Sequence, residues 1–332
     1  MASGERMTSS LIEKYRARLP VSETTPVVSL GEGGTPLLRA GRLSKRYDVD
    51  LWLKLESANP TGSFKDRGMT VAVSKALEAG ARGVICASTG NTAASTAAYA
   101  ARAGIPAVVL QPAGAVALGK LAQACAVGAR VVEVRGSFDR ALHAARELAR
   151  RGDHVLVNSI NPNRIEGQKT IAFEIADELG GIPDAVVLPY GGGGNTRALF
   201  RGFTELGAMP RLLPSQAATR SDTVASAIRI TEPAHAAEVD EAVGMSDGRV
   251  LTVSDDEILR AWGELAREEG VFCEPSSAAG LAALEHAGLS SGAVVVCVVT
   301  GHGLKDPATA AAHAEPTVIV DPDPDAIMDA LR

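Results

Sequence analysis

No run of apolar residues in the 332-residue chain approaches the ~20 that a bilayer span needs, and the N-terminus lacks the apolar core of a signal peptide. A cytoplasmic protein with no membrane partner is therefore expected. Basic blocks are also missing and the net charge is -6, so nucleic acid is not an expected partner, although a local anion pocket stays open. Cysteine is scarce. The four present, Cys86, Cys125, Cys273 and Cys297, lie far apart with no CxxC pair, and the runs GVICAS, AQACAV and VVVCVV predict buried free thiols rather than zinc ligands or disulfides. His143, His154, His235, His286 and His313 show no HExxH-like spacing, so no metal site is expected; His302, in GHGLKD, reads as a packing residue. Neither a Gly-Lys-Ser/Thr phosphate loop nor GxGxxG occurs, which argues against a nucleoside triphosphate or a dinucleotide. Internal repeats and low-complexity linkers are absent too.

What the chain does have is alternation. At 46% hydrophobic and 22% charged residues it has enough material for two joined lobes. From about residue 50 to 215, β-branched apolar runs alternate with Ala- and Leu-rich helical periods, the pattern of βα units around parallel sheets. LWLKLES, GVICAS, PAVVLQ, RVVEVR, HVLVNS, DAVVLPY and RLLPSQ read as strands, and GAVVVCVVTG adds one late in the chain. Their unbroken apolar character predicts cover on both faces. Trp52 and Trp262 read as core, and the polar MASGERMTSS as a frayed end.

Three strand-to-helix junctions carry the chemistry, at the place where open α/β sheets put ligands. In NPTGSFKDRGM a turn leads into a helix whose apolar stripe is Met69, Ala72, Val73, Ala76 and Leu77, with Thr61 or Ser63 as its cap. Lys65 stands in the first turn. The helix field there opposes an ammonium, so its pKa is expected to fall, which suits a nucleophilic amine. Taken alone, such a lysine is also readily a solvated surface residue. Asp66 and Arg67 read as local salt bridges that fix the helix. In ASTGNTAAS, Ser88, Thr89, Gly90 and Asn91 open an Ala-rich helix and suit either a carboxylate or a plain cap. In LPYGGGGNTR, four glycines precede Asn195 and Thr196. Glycine loses the most backbone entropy on folding, and the close approach of a phosphate would offset that cost. A flexible loop is the bland alternative, yet here a strand runs straight into a helix. Together a phosphate cup, a carboxylate cup and a lysine of lowered pKa point to pyridoxal 5'-phosphate held as a Schiff base.

Nearly the whole chain resembles the fold type II, tryptophan-synthase β-like pyridoxal-phosphate enzymes, and within them the threonine-synthase branch. VVSLGEGGTPLL, ESANPTGSFKDRGM, ASTGNTAAS, GSFDRAL, NSINPNRIEGQKTIAFEI, the glycine cup, EGVFCEPSSAAGLAAL and VVTGHGLKDP carry the resemblance, and RIEGQKT and GHGLKD discriminate most. It implies two α/β lobes with the cofactor in the cleft between them, residues 1–56 with 156–332 forming the larger and 57–155 a smaller, mobile one, and a homodimer. It implies that Lys65 carries the cofactor and moves protons, with Phe64 beside it, that Asn91 meets the cofactor's 3′-oxygen, and that Thr300 faces the pyridine nitrogen. Gly191, Gly192, Gly193, Gly194 and Asn195 would cradle its phosphate. Ser88, Thr89 and Thr92 would take the substrate carboxylate, and Asn158 and Arg164 the phosphate of an amino-acid phosphate. The implied reaction turns O-phospho-L-homoserine and water into L-threonine and phosphate. Two features depart from the branch's pattern: the cup usually reads Gly-Asn-Ala-Gly-Asn, and the stretch between RLLPSQ and the AIRI helix is short. They leave a fold type II lyase or replacement enzyme for another amino acid as the alternative.

Overall fold

The computed structural model describes residues 9–114, 118–152, 154–314 and 316–332. Its strands are β1 (Leu37–Arg39), β2 (Asp50–Leu55), β3 (Val84–Ala87), β4 (Ala107–Pro112), β5 (Arg130–Val134), β6 (Val155–Leu156), β7 (Ala185–Pro189), β8 (Arg211–Ala217), β9 (Leu251–Val253) and β10 (Val294–Val299). They form two sheets, one ordered β1-β2-β10-β7-β8-β9 and one ordered β5-β4-β3-β6. All pairs are parallel except β1 with β2. This is the two-lobed α/β arrangement the alternation predicts. Each sheet is packed on both faces, the larger by Leu51, Leu53 and Val295 on one side and Val186, Leu188 and Val298 on the other. The smaller has Cys86 and Val109 on one face and Ile85 and Leu110 on the other.

The late strand β10 enters between β2 and β7, with Val299 opposite Leu55. That register sets Thr300 and Gly301 against the turn before Lys65. The Phe64 N–H donates to the Thr300 carbonyl at 3.1 Å, and Ser63 bridges Gly301. Sequence-distant segments thus share one strand end, as parallel sheets with crossovers require.

Several expectations need correction. The short β1 and β9 are too brief to show a pattern, and β5 is an exposed edge rather than a strand covered on both faces. AIRI contributes only the 3-10 turn Ser226–Ile228, not a helix. Cys125 is exposed, while Cys86, Cys273 and Cys297 are buried, and all four are free. Residues 1–8 of the N-terminal stretch lie outside the described residues; Ser10 is not frayed, since it forms a capping box with Glu13. Trp52 and Trp262 are partly buried at the margins of two cores.

The helix Lys65–Glu78 has its expected stripe, Met69, Ala72, Val73 and Ala76, in the core of the smaller sheet with Leu77 packed against it. Neither Thr61 nor Ser63 caps it: Phe64 holds the cap position without a side-chain hydrogen bond. Thr61 instead donates both its N–H and its hydroxyl to the Asp66 carboxylate, at 2.7 and 2.6 Å, and Ser95 donates to the same group. Asp66 is therefore fixed by neutral donors, not by a salt bridge. Arg67 is paired, but over a long range, with Glu56 at 2.7 Å and Glu174 at 2.6 Å, all three buried. Lys54 adds a second cation to Glu174 at 3.0 Å. This network ties the lysine helix to the larger sheet.

The helix Pro162–Gln168 crosses the lysine helix at backbone distance. A Cβ on Gly167 would lie 1.9 Å from the Arg67 carbonyl oxygen, and one on Gly68 would lie 2.6 Å from that of Arg164. Only glycines on both helices permit that approach. The crossing brings the Arg164 side chain against the first turn of the lysine helix.

Candidate active site

Lys65 opens its helix with its Nζ 4.2 Å from the centroid of the Phe64 ring. The residue is half-buried, yet protein crowds the amine. Its pKa is lowered to about 7, chiefly by burial and then by the nearby Arg164 guanidinium, with the Glu274 carboxyl pulling the other way. The fall expected from sequence is present, but desolvation rather than the helix field leads it. Near neutrality about half of such amines are uncharged and able to attack a carbonyl. Uptake of pyridoxal phosphate by the cofactor-free protein should accordingly rise with pH and level off above 7, the rate at pH 6 being about a tenth of the plateau. Stopped-flow absorbance measures this; a rate still climbing through pH 9 would mark an ordinary lysine.

Around the amine the structure gathers residues from four segments. Asn91, the first residue of the helix Asn91–Ala103, donates its Nδ2 to Glu274 Oε1 at 2.9 Å. Burial raises the Glu274 pKa to about 7. Thr300, at the end of β10, shares a 2.9 Å hydrogen bond with Ser277, whose Oγ also accepts from the Gly301 N–H. Ser88 Oγ accepts from the N–H groups of Gly90 and Ala93 at the same helix start, while Thr89 and Thr92 are half-buried beside it. Both amide atoms of Asn158 pair with the Ala87 backbone, which fixes the end of β3 just before Ser88.

Arg164 is fully buried. Its Nη1 donates to the Val157 carbonyl at 2.8 Å, whereas Nε and Nη2 have no partner among the described residues. Burial lowers its pKa to about 10. A buried guanidinium with two open donors is costly unless an anion fills them.

The glycine cup follows β7 and leads into the helix Gly194–Leu206, which packs on the helix carrying Arg164. Gly193 has φ +85, and a Cβ there would meet Val239 at 2.8 Å and His235 at 3.1 Å. At Gly191 it would approach the Ile228 Cα at 3.1 Å, so the short stretch after β8 forms one wall of the cup. Beyond the glycines, both amide atoms of Asn195 and the Thr196 hydroxyl are buried without partners among the described residues. Glycines that permit backbone approach, followed by unfilled polar atoms at a helix start, fit a phosphate. Gly192 differs, with only Ile230 near its would-be Cβ, at 3.7 Å. Gly193→Ala should therefore weaken cofactor binding about tenfold through backbone strain. Gly192→Asn should leave stability within about 0.5 kcal/mol of the parent. Fluorescence titration and thermal denaturation check the pair, and equal effects at both positions would contradict the geometry.

Glu274, Ser277, Thr196 and His235 received no role from the sequence. EPSSAAG reads as a helix start with a Pro at its first position, and nothing local reveals that Glu274 turns away from it. His235 sits under the cup, its backbone N–H donating to the Gly192 carbonyl.

The family model for pyridoxal-phosphate dependent enzymes matches residues 28–301. The chain belongs to that family. It is 46% identical to the threonine synthase of Halalkalibacterium halodurans, over 97% of this chain and 97% of that one. It is 49% identical to that of Mycobacterium tuberculosis over 97% and 95%, and 52% identical to that of Synechocystis over 90% and 83%. Among solved structures, maize serine racemase superposes with a TM-score of 0.75 at 22% identity, over 84% of this chain and 91% of that one, a likeness of fold alone. The threonine deaminase of T.th. has a TM-score of 0.69 at 27% identity, over 86% and 94%. Like the rest of its family, this enzyme uses pyridoxal phosphate. No described helix is long and apolar enough to cross a membrane.

Proposed function

We propose that the enzyme is a threonine synthase, converting O-phospho-L-homoserine and water into L-threonine and phosphate. The near-full-length similarity to threonine synthases supports the reaction, and the crowded amine of Lys65, acted on by Arg164 and Glu274 and set one residue after Phe64 at the end of β10, supports the site assignment.

The bound cofactor supplies an electron sink that makes the substrate's Cα and Cβ protons acidic. Lys65 would hold the cofactor and, as a free amine, would take and return those protons at Nζ; a pKa near the working pH serves transfer in both directions. Asn195, Thr196 and the glycine backbone would hold the cofactor's phosphate, Asn91 would meet its 3′-oxygen, and Thr300 its ring nitrogen. A hydroxyl in that last place, oriented by Ser277, would leave the nitrogen less firmly protonated than a carboxylate there. Thr89 and Thr92, with the Ser88-capped helix start, bind the substrate carboxylate. The open donors of Arg164 suit the leaving phosphate; Asn158, expected beside them, has both amide atoms on the Ala87 backbone and acts instead by fixing the chain just before the carboxylate-binding residues.

The lobe division 1–56 with 156–332 and 57–155 is part of this reading, with the smaller lobe closing to exclude water; its boundary falls inside β6. A homodimer working in the cytoplasm completes it, the assembly being checked by sedimentation. The deciding assay supplies phosphohomoserine and measures free phosphate and threonine together. Equal yields are expected. Phosphate accompanied by a 2-oxo acid instead of threonine would move the enzyme to the lyases, the reading that the Gly192 departure favours.

A further inference from the structure

Glu274 is a carboxyl with an unusual placement. It occupies the N-cap of the helix Pro275–Ala282, where an acidic side chain ordinarily accepts from its own helix's N–H groups, yet it makes no such bond. Its Oε1 accepts instead from Asn91 Nδ2, 183 residues earlier in the chain, at 2.9 Å. The space it fills is made for it: a Cβ on Gly301 would stand 2.2 Å from that same oxygen. Backbone bonds hold it there from both sides, the Glu274 N–H donating to the Gly301 carbonyl at 3.0 Å and the Ser277 N–H to the Glu274 carbonyl at 2.9 Å. The side chain is 4% exposed. Among the described residues its side chain has an amide as its one hydrogen-bond partner; burying a carboxyl on those terms is unfavourable, and helix capping does not explain it.

Three charged groups act on it: Lys305, Asp306 and Lys65. Lys305 reaches across to Gln123. The effect on Lys65 is mutual, and Glu274 opposes Arg164 at that amine. Asn91 stands at the mouth of the smaller sheet and Glu274 on a helix packed against the larger one, so their hydrogen bond also spans the two lobes.

We propose that Glu274 is a positioning residue of this site, which clamps the Asn91 amide in one orientation and offsets the charge of Arg164 at the Lys65 nitrogen. The proposal rests on Lys65 being the cofactor-bearing amine, and it is independent of which amino acid is the substrate. The carboxyl sets how readily that nitrogen keeps a proton; the clamp fixes which face of the Asn91 amide meets the cofactor.

The test uses the cofactor-loaded protein without substrate. Glutamine at position 274 keeps an acceptor for Asn91 but cannot carry charge, whereas alanine removes both. In Glu274→Gln the pH midpoint of the bound cofactor's visible absorbance should move down by about one unit, with cofactor affinity within about threefold of the parent. In Glu274→Ala the midpoint should move likewise and the dissociation constant rise about tenfold from the lost hydrogen bond. An unmoved midpoint in the glutamine variant overturns the charge role, and equal cofactor affinities of the two variants overturn the clamp. Should the alanine variant fail to fold, Glu274→Met, which fills the same space without an acceptor for Asn91, replaces it for the clamp and should show the same loss of affinity. None of these readouts needs phosphohomoserine, so their failure is distinct from a failure of the threonine synthase assignment.

Discussion

Lys65→Ala should lower turnover by about 10⁴-fold or more, because it removes both the covalent anchor and the proton carrier. The folded state should lose nothing and gain slightly in melting temperature. The amine is crowded by protein, lies near the like charge of Arg164 and has no salt bridge among the described residues, so its removal relieves desolvation and repulsion. A structural lysine would behave in the opposite way, with activity falling in step with stability. Phosphate release and thermal denaturation on the same preparation separate the two cases.

The largest effect on the fold is expected at Arg67. Replacing it with alanine leaves Glu56 and Glu174 buried, with Lys54 the remaining cation within reach of Glu174, and should cost about 3–5 kcal/mol. Surface pairs such as Arg332 with Asp329 should be nearly silent by comparison. The acid limb of stability has the same origin. Burial alone would raise the Glu174 pKa, but Arg67 and Lys54 hold it down to about 2, against an ordinary 4.5. A depressed carboxylate stabilises the fold fully above its unfolded pKa, so this contribution is complete above about pH 5 and is lost as pH falls from there toward 2. In Arg67→Ala the acid transition should begin at higher pH. Circular dichroism against pH reads the shift, and a coincident transition in parent and variant would show the network to be inert.

How much of this was legible beforehand depended on whether the signal was local. Eight of the strands were readable, since each lies in an apolar run bounded by turn residues. Lys65, Asn91 and the glycine cup stood out because a strand-to-helix junction has few uses for those residues together. The order of the strands was not readable: nothing in GAVVVCVVTG states that β10 separates β2 from β7, and it is this insertion that puts Thr300 beside Phe64. The same holds for Arg67, whose partner Glu174 lies 107 residues away, and which looks from sequence like half of a local pair with Asp66. Gly68 and Gly167 read as unremarkable helical glycines until the helix crossing is seen. Glu274 was hidden for a similar reason, since an acid before a proline at a helix start looks like a cap. Local chemistry was visible; what nonlocal packing assembled from it was not.

The chemistry depends above all on the state of one amine, and reductive trapping reads it directly. Protein supplied with pyridoxal phosphate, reduced with borohydride and digested, should give a single modified peptide spanning Ser63 to Arg67 with the added mass on Lys65. Absence of a modified peptide, or a label on Lys305 or another lysine with Lys65 unmodified, would contradict the assignment.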